Sequence, residues 1–484
     1  MLKDATAKQV EQAERPLHDP RNSNSNKVET NQQQRILGTP HSSLLVQSTI
    51  TINVHPFSRI LSQNIEPARL DFPSKCNRDL ILRVLRFLST IPCCLSLSRL
   101  HINCRSAVLV TGGLGYIGTH VCLELLRKNY HVIVVDNLTN SYRDALSSIL
   151  RAFSNGNEPL GRRKDLITHI SIDYGDAKAL DQVLAEFQRY LNILGTIHLA
   201  ASKSVGESIL NPAKYYENNV VKTDRFLKCL GRYGIKNVVL ASSAAVYGNL
   251  ARNSSLDGLK EEQVPIVDPF IAPGEFGKVV SGLSPYGISK LLCESLVYRF
   301  ATEDPTRRAI AFRLFNPVGC DPSGYLKEAP KDTEWCGGSI MQMVLKTING
   351  SNSMLEIFGA DYFGDGSGDG SCVRDFVHVS DIARGLVMGL ERCALQRIDR
   401  RQPRFEIYNL ASGKGVSVKQ LIRAIEQECD IKVKTKICGR RKGDVAVSIG
   451  SMDKVRIEMG WVPDMGLQQV CQHFCRCYNI GGRR

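Results

Sequence analysis

Three side chains with complementary chemistry stand in order along this 484-residue chain: Ser243 in "LASSAAVYG", then Tyr286 and Lys290 in "SPYGISK". The Tyr-x-x-x-Lys spacing puts both side chains on one face of a helix. An ammonium beside a phenol favours the phenolate and draws its pKa from about 10 toward neutrality. Such a tyrosine can take a proton from an alcohol at physiological pH, and a serine hydroxyl close by can orient the alcohol oxygen. The spacing itself carries little, since "YGDAK" repeats it at Tyr174 and Lys178. Context separates the two. Tyr286 follows a strand that ends in Ser243, whereas Tyr174 sits in a loop beside Asp173.

A second constellation precedes the first. In "AVLVTGGLGYIGTHVCLELL", residues 107–126, a short apolar run meets Gly112, Gly113, Gly115 and Gly118, and an amphipathic stretch follows. The glycines fit G-x-G-x-x-G from Gly113 and G-x-x-G-x-x-G from Gly112. Between a strand and a helix they allow a tight turn, close backbone approach to a pyrophosphate, and close packing of helix on sheet. The helix N-terminus then offers free N–H groups and a positive dipole end to phosphate. Asp136 ends the next strand, eighteen residues beyond Gly118. A carboxylate there accepts from the adenosine ribose hydroxyls and repels the extra phosphate of NADP, so NAD is expected. The other reading of Asp136 is a cap for the turn "DNLTNS".

These groups need a scaffold. "AVLVTG" (107–112), "HVIVVD" (131–136), "TIHLAA" (196–201), "NVVLASS" (237–243) and "AIAFRLFN" (309–316) read as buried strands, and "HVCLELLRK" and "TDRFLKCLGRY" as helices between them. Alternation of this kind implies an α/β fold with a doubly wound, Rossmann-type parallel sheet covered on both faces. Ligands of such sheets bind outside the carboxyl ends of the strands.

Composition bounds the rest. Hydrophobic residues make up 43% of the chain, enough for a large core, and the net charge is +14. The excess is spread out: residues 1–104 hold 13 Lys and Arg against 8 Asp and Glu. No long basic block stands out, so nucleic-acid binding is not expected. Residues 1–60 are rich in Asn, Gln, Ser and Thr without a sustained period and read as disordered. In "DLILRVLRFLSTIPCCLSLS" (79–98), Arg83, Arg86 and Pro92 break the apolar run, which is too short to span about 30 Å of hydrocarbon. Residues 1–104 therefore read as a disordered or targeting extension. The opening "MLKDATAKQVEQAERP" is polar and carries acids, unlike a secretory signal. A reducing, cytoplasmic location and free thiols are expected for the 16 cysteines. "CQHFCRC" (Cys471 to Cys477) lacks the usual zinc spacing, and no metal is expected.

The chain resembles the extended short-chain dehydrogenase/reductases, and among them the UDP-galactose 4-epimerase family. The stretches that carry the resemblance are "VLVTGGLGYIGTH", "VVDNLTNS", "KSVGES", "YYENN", "SSAAVYG", "SPYGISK", "RLFNPVG", "CVRDFVHVSDIA", "IYNLASGKG" and "RRKGD". It implies an NAD-binding domain over 105–316, with 375–412 returning to it, and a smaller substrate-binding domain over 317–484. It implies inversion at C4 of UDP-galactose and UDP-glucose through a transient 4-keto sugar. Tyr286 would take the 4-hydroxyl proton while hydride leaves C4 for the nicotinamide. Ser243 would hold the 4-oxygen, and Lys290 would bind the nicotinamide ribose. The NAD site would include Gly112, Gly115, Tyr116, Ile117, Gly118, Asp136, Asn137, Asn140, Asp173, Tyr174, Lys203, Asn218 and Lys290. The substrate site would include Lys203, Ser243, Tyr286, Asn316, Arg374, Arg441, Asp444 and Ser448. Arginine suits a diphosphate because it offers charged forked donors; Arg440 reads as a surface ion pair. A homodimer packed through the Tyr286 helix and its neighbour is implied, with no membrane partner.

Departures from the family pattern are Leu314 in place of tyrosine, Gly338 and Ser339 in place of paired asparagines, and longer segments at 249–283 and 361–374. Ser448 stands where the hexose-restricted members carry tyrosine, so UDP-N-acetylglucosamine and UDP-N-acetylgalactosamine are expected as further substrates. A sugar-nucleotide 4,6-dehydratase is disfavoured, because Ala244 and Ala245 follow Ser243 where that class carries acids. A UDP-pentose 4-epimerase and a non-catalytic NAD-binding protein are the alternatives.

Overall fold

The computed structural model describes residues 106–154, 164–253, 258–266, 282–329, 339–362, 368–396, 404–441 and 444–481. The extension read over 1–104 and the departure at Gly338 lie outside the described residues, as do parts of the longer segments at 249–283 and 361–374.

The strands, in chain order, begin with β1 (Ser106–Thr111), β2 (His131–Val135), β3 (Ile167–Ile170), β4 (Asn192–His198), β5 (Asn237–Ser243) and β6 (Arg308–Leu314). They continue with β7 (Asn316–Val318), β8 (Leu355–Phe358), β9 (Val373–His378), β10 (Phe405–Leu410), β11 (Gly415–Ser417), β12 (Thr435–Cys438) and β13 (Val447–Ser448). Seven of them form one sheet in the order β10-β6-β5-β4-β1-β2-β3, with every pairing parallel. The sequence expectation of a doubly wound α/β sheet is met. β5 has the expected bounds, while β4 begins four residues before the segment read as a strand and ends at His198.

Both faces of the sheet are covered, which is why its strands read as unbroken apolar runs. Along β1, Val108 and Val110 belong to the core under helices Tyr116–Arg127 and Val379–Gln396. Ala107 and Leu109 belong to the opposite core, with residues of helices Ala177–Phe187, Lys222–Arg232 and Pro285–Glu303. A third core collects Val318, Val344, Leu355, Ile357, Leu421, Ile425, Val470 and Phe474 beyond the sheet.

Cysteine usage departs from expectation at one point. Cys429 and Cys475 are joined in a disulfide that ties helix Val418–Cys429 to helix Leu467–Tyr478. Among the described residues the other cysteines are free thiols. Two ends of helices that meet in a common core brought these sulfurs together, and a 46-residue separation hides that in the sequence. No helix among the described residues is long and apolar enough to cross a membrane.

The most demanding feature of the core is ionic. Arg313 of β6 and Glu294 of helix Pro285–Glu303 pair at 2.9 Å with neither side chain exposed. Five guanidinium hydrogen bonds account for its five N–H donors: two to Glu294, and one each to Tyr247 Oη, Glu261 O and Val264 O. Removing one partner of such a pair strands the other charge in a dry interior. Arg313→Met is therefore expected to lower the unfolding free energy by about 3–5 kcal/mol, read from denaturant melts; a loss under 1 kcal/mol would contradict the burial of the pair.

Candidate active site

The sheet order reverses between β1 and β4, whose following loops run to opposite sides. The glycine loop follows β1. Gly112 has φ of +69°, and a Cβ there would lie 2.8 Å from Ala200 N in the loop after β4. Gly118 lies in the first turn of helix Tyr116–Arg127, where a Cβ would come within 2.2 Å of Gly112 O. Gly115 is the N-cap, and no side chain caps the helix. The helix thus presents bare N–H groups at the switch point, the arrangement that holds a pyrophosphate. Ile117 packs its side chain against the core behind them. Tyr116 donates its hydroxyl to Gly319 O at 2.7 Å. Burial, with the Glu328 charge adding to it, holds that phenol well above its ordinary pKa.

Asp136 caps the turn, as the second of its sequence readings had it. Its Oδ1 accepts from Leu138 N and Ser141 Oγ, and its Oδ2 from Leu114 N. The carboxylate therefore ties the turn after β2 to the glycine loop. Two oxygens offer about four acceptor sites, so capacity remains for a ribose hydroxyl. Beyond it, Asn137 and Asn140 are exposed. Asn137 Nδ2 donates to Asp173, which also accepts from Lys222 Nζ at 2.7 Å and from Gly175 N. Burial works against the Asp173 charge, but the Lys222 and Gly175 hydrogen bonds outweigh it and hold the carboxyl below its ordinary range.

Tyr174 turns its ring into the core, edge-on to His198 and Phe226, and its hydroxyl donates to Asn218 O. Lys178 is exposed on the next helix, so the second Tyr-x-x-x-Lys is a coincidence of spacing. Asn218 Nδ2 donates to Ser202 Oγ, and its Oδ1 accepts from Lys222. Lys203, in the loop after β4, pairs with Glu328 at 3.3 Å.

Ser243 is the last residue of β5, and Ser284 caps helix Pro285–Glu303 through Gly287 N. Tyr286 and Lys290 lie on successive turns of that helix. The Tyr286 ring stands edge-on to Tyr215, with centroids 6.2 Å apart. Lys290 is 5% exposed and donates from Nζ to Ala241 O at 2.7 Å, two residues before Ser243. His198 lies beneath, with Nε2 2.9 Å from Thr223 Oγ1; burial, with the Lys290 charge second, drives its pKa down to about 3 and keeps it neutral. Ser243 accepts from Ala245 N and is paired in register with Leu314 of β6. Two residues on, Asn316 opens β7 and donates to Asp375 O.

The remaining candidates gather around β9. Arg374 is the register partner of Ser448 in β13 and bonds Asp444 at 2.7 Å. Asn316 is the register partner of Phe376 on the same strand. Arg441 stacks its guanidinium 3.7 Å from the Phe358 ring centroid. Arg440 pairs with Asp361 at the surface, both more than half exposed, as its sequence reading had it.

Sequence reasoning missed Glu328, Phe358 and Asp375. Asp375 is fully buried and accepts from Ser412 N, Ser412 Oγ, Gly413 N and Gly450 N; burial raises its carboxyl nonetheless. It stands next to Arg374 in "CVRDFVHV", yet its partners lie 37, 38 and 75 residues downstream. Glu294 was also missed, although it continues the spacing of Tyr286 and Lys290 by one more turn.

Residues 108–411 match the NAD dependent epimerase/dehydratase family. The UDP-glucose 4-epimerase of Bacillus subtilis is 35% identical over 365 residues, which cover 75% of this chain and 94% of that protein. The crystal structure of the Stenotrophomonas maltophila UDP-glucose 4-epimerase, with bound NAD and formylated UDP-arabinopyranose, aligns at a TM-score of 0.65 and 30% identity, over 78% of this chain and 98% of that one. The Bifidobacterium longum UDP-glucose 4-epimerase, solved with NAD+ and UDP, aligns at 0.62 and 31%, over 77% and 98%. With the glycine loop at the sheet's switch point and Lys290 bonded to the end of β5, this chain belongs to the NAD dependent epimerase/dehydratase family and, within it, to the UDP-glucose 4-epimerases.

Proposed function

We infer that the protein is an isomerase that inverts C4 of UDP-galactose and UDP-glucose with bound NAD. The observation that carries the reading is Lys290, which donates to Ala241 O two residues before Ser243, with Tyr286 one turn earlier on the same helix and a helix N-terminus bare of side-chain caps after the glycine loop. Bound NAD supplies the hydride acceptor, and afterwards the hydride donor, at the sugar C4. Gly112, Gly115, Tyr116, Ile117 and Gly118 would hold its pyrophosphate; Asp136, Asn137 and Asn140 its adenosine side; Lys290 the nicotinamide ribose; and Asp173, Tyr174, Lys203 and Asn218 would complete the NAD site.

Tyr286 takes the proton from the 4-hydroxyl, and Ser243 holds the 4-oxygen. The 4-keto sugar then turns about its link to the diphosphate and offers its other face, and Tyr286 returns the proton. Lys203, Asn316, Arg374, Arg441 and Asp444 hold the UDP portion, with the charged forks of the arginines on the diphosphate. The division into an NAD-binding part over 105–316 with 375–412, and a substrate-binding part over the rest of 317–484, is part of this reading. So are a cytoplasmic location, which cell fractionation tests, and a homodimer through helices Pro285–Glu303 and Lys222–Arg232. A sedimentation-velocity run that finds only monomer removes the dimer.

Ser448 extends the substrate range. It is the register partner of Arg374, and in this reading its small side chain would leave room for a 2-N-acetyl group.

Incubation with UDP-galactose and no added reductant is expected to yield UDP-glucose, and Tyr286→Phe to lower kcat by about 100- to 10,000-fold. Retained interconversion in that variant would reject the assignment of the base. Ser448→Tyr is expected to cut kcat/KM for UDP-N-acetylgalactosamine by about 100-fold while sparing UDP-galactose; equal loss on both sugars rejects the specificity role.

A further inference from the structure

The helix that bears Tyr286 and Lys290 carries a third polar residue on the same face. Tyr286, Lys290 and Glu294 follow one another at four-residue intervals, and Lys290 and Glu294 each reach the end of β5. Lys290 Nζ donates to Ala241 O at 2.7 Å. One turn on, Glu294 Oε1 accepts from Ser242 Oγ at 2.5 Å. Two consecutive strand residues are thus held by two consecutive helical turns, and the next strand residue is Ser243.

Glu294 is itself fixed. Its Oε1 also accepts from Arg313 Nε at 3.1 Å, its Oε2 accepts from Arg313 Nη2 at 2.9 Å, and neither side chain is exposed. Arg313 in turn bonds Glu261 O and Val264 O, in the segment after β5. A buried ion pair is weak as a source of stability, because apolar residues of the same volume do as well. What apolar residues cannot do is accept a hydrogen bond from Ser242.

We propose that Glu294 is a positioning residue, which through Ser242 fixes Ser243 against Tyr286 and so sets the alignment of the proton transfer at the sugar oxygen. The inference rests on the function proposed above. Glu294 touches neither sugar nor cofactor in it; a misplacement of about 1 Å at the reacting groups can cost on the order of 100-fold in rate.

Two variants separate this duty from stability. Ser242→Ala deletes the hydroxyl and leaves Glu294 paired with Arg313. Glu294→Asp keeps the charge beside Arg313 and withdraws the carboxylate from Ser242. Each is expected to lower kcat for UDP-galactose by about 10- to 100-fold. KM should stay within about 2-fold, with the folded fraction by circular dichroism unchanged. The double variant should be no slower than the slower single one, since both changes break one contact. Either single variant at the unsubstituted kcat overturns the proposal, and so do losses that multiply in the double variant. An unsubstituted protein without activity removes the function and this inference together, which tells the two failures apart.

Discussion

No side chain fits between the end of β1 and the loop after β4, and the site is organised around that exclusion. Gly112 N donates to Val135 O of β2, and Leu199 N donates to Thr111 O of β1. The backbones so drawn together leave 2.8 Å between a Cβ at Gly112 and Ala200 N. The positive φ at Gly112 turns the chain away from the sheet where the strand order switches between β1 and β4. Helix Tyr116–Arg127 can then start immediately above the sheet, with its first N–H groups open. A residue with a side chain at 112 would push β1 from β4 and move the helix start and the strand ends together.

That part of the molecule was legible because local chemistry dictates it. A turn that needs φ > 0 needs glycine, a strand buried on both faces needs an apolar run, and a carboxylate at the end of β2 needs donors. Each demand is written within a few residues of the place that satisfies it. The alternation of Val108 and Val110 with Ala107 and Leu109 between two cores left the same trace. The start of β4 was misjudged because Asn192–Leu194 looks no more strand-like than a loop; it is a strand because β1 offers Ser106 and Ala107 as partners.

The polar groups that hold the strands and helices in register were not legible. Glu294 and Arg313 stand 19 residues apart in the chain, and only the packing of β5, β6 and helix Pro285–Glu303 makes them buried partners. Asn409 shows the same limit: its amide bonds Leu259 O and Ser451 O, and its N–H bonds Glu261. Each contact joins chain segments more than 40 residues apart, so no period or spacing announces it. The Cys429–Cys475 disulfide belongs to this class as well.

The cations proposed to meet the UDP portion are already engaged. Arg374 bonds Asp444, Lys203 pairs with Glu328, and Arg441 lies on Phe358. A diphosphate that enters must therefore draw these groups from existing partners, so its binding is an exchange of contacts rather than the neutralisation of bare charge. Arg374 and Asp444 are mostly shielded, so their separation costs more than that of an exposed pair. Lys203 is more than half exposed and its bond to Glu328 is longer, so it yields most readily. In the proposed reading, such a site would hold a nucleotide sugar firmly enough to orient it, yet let the sugar end turn and the product leave, which is what inversion at one carbon with unchanged phosphate contacts demands.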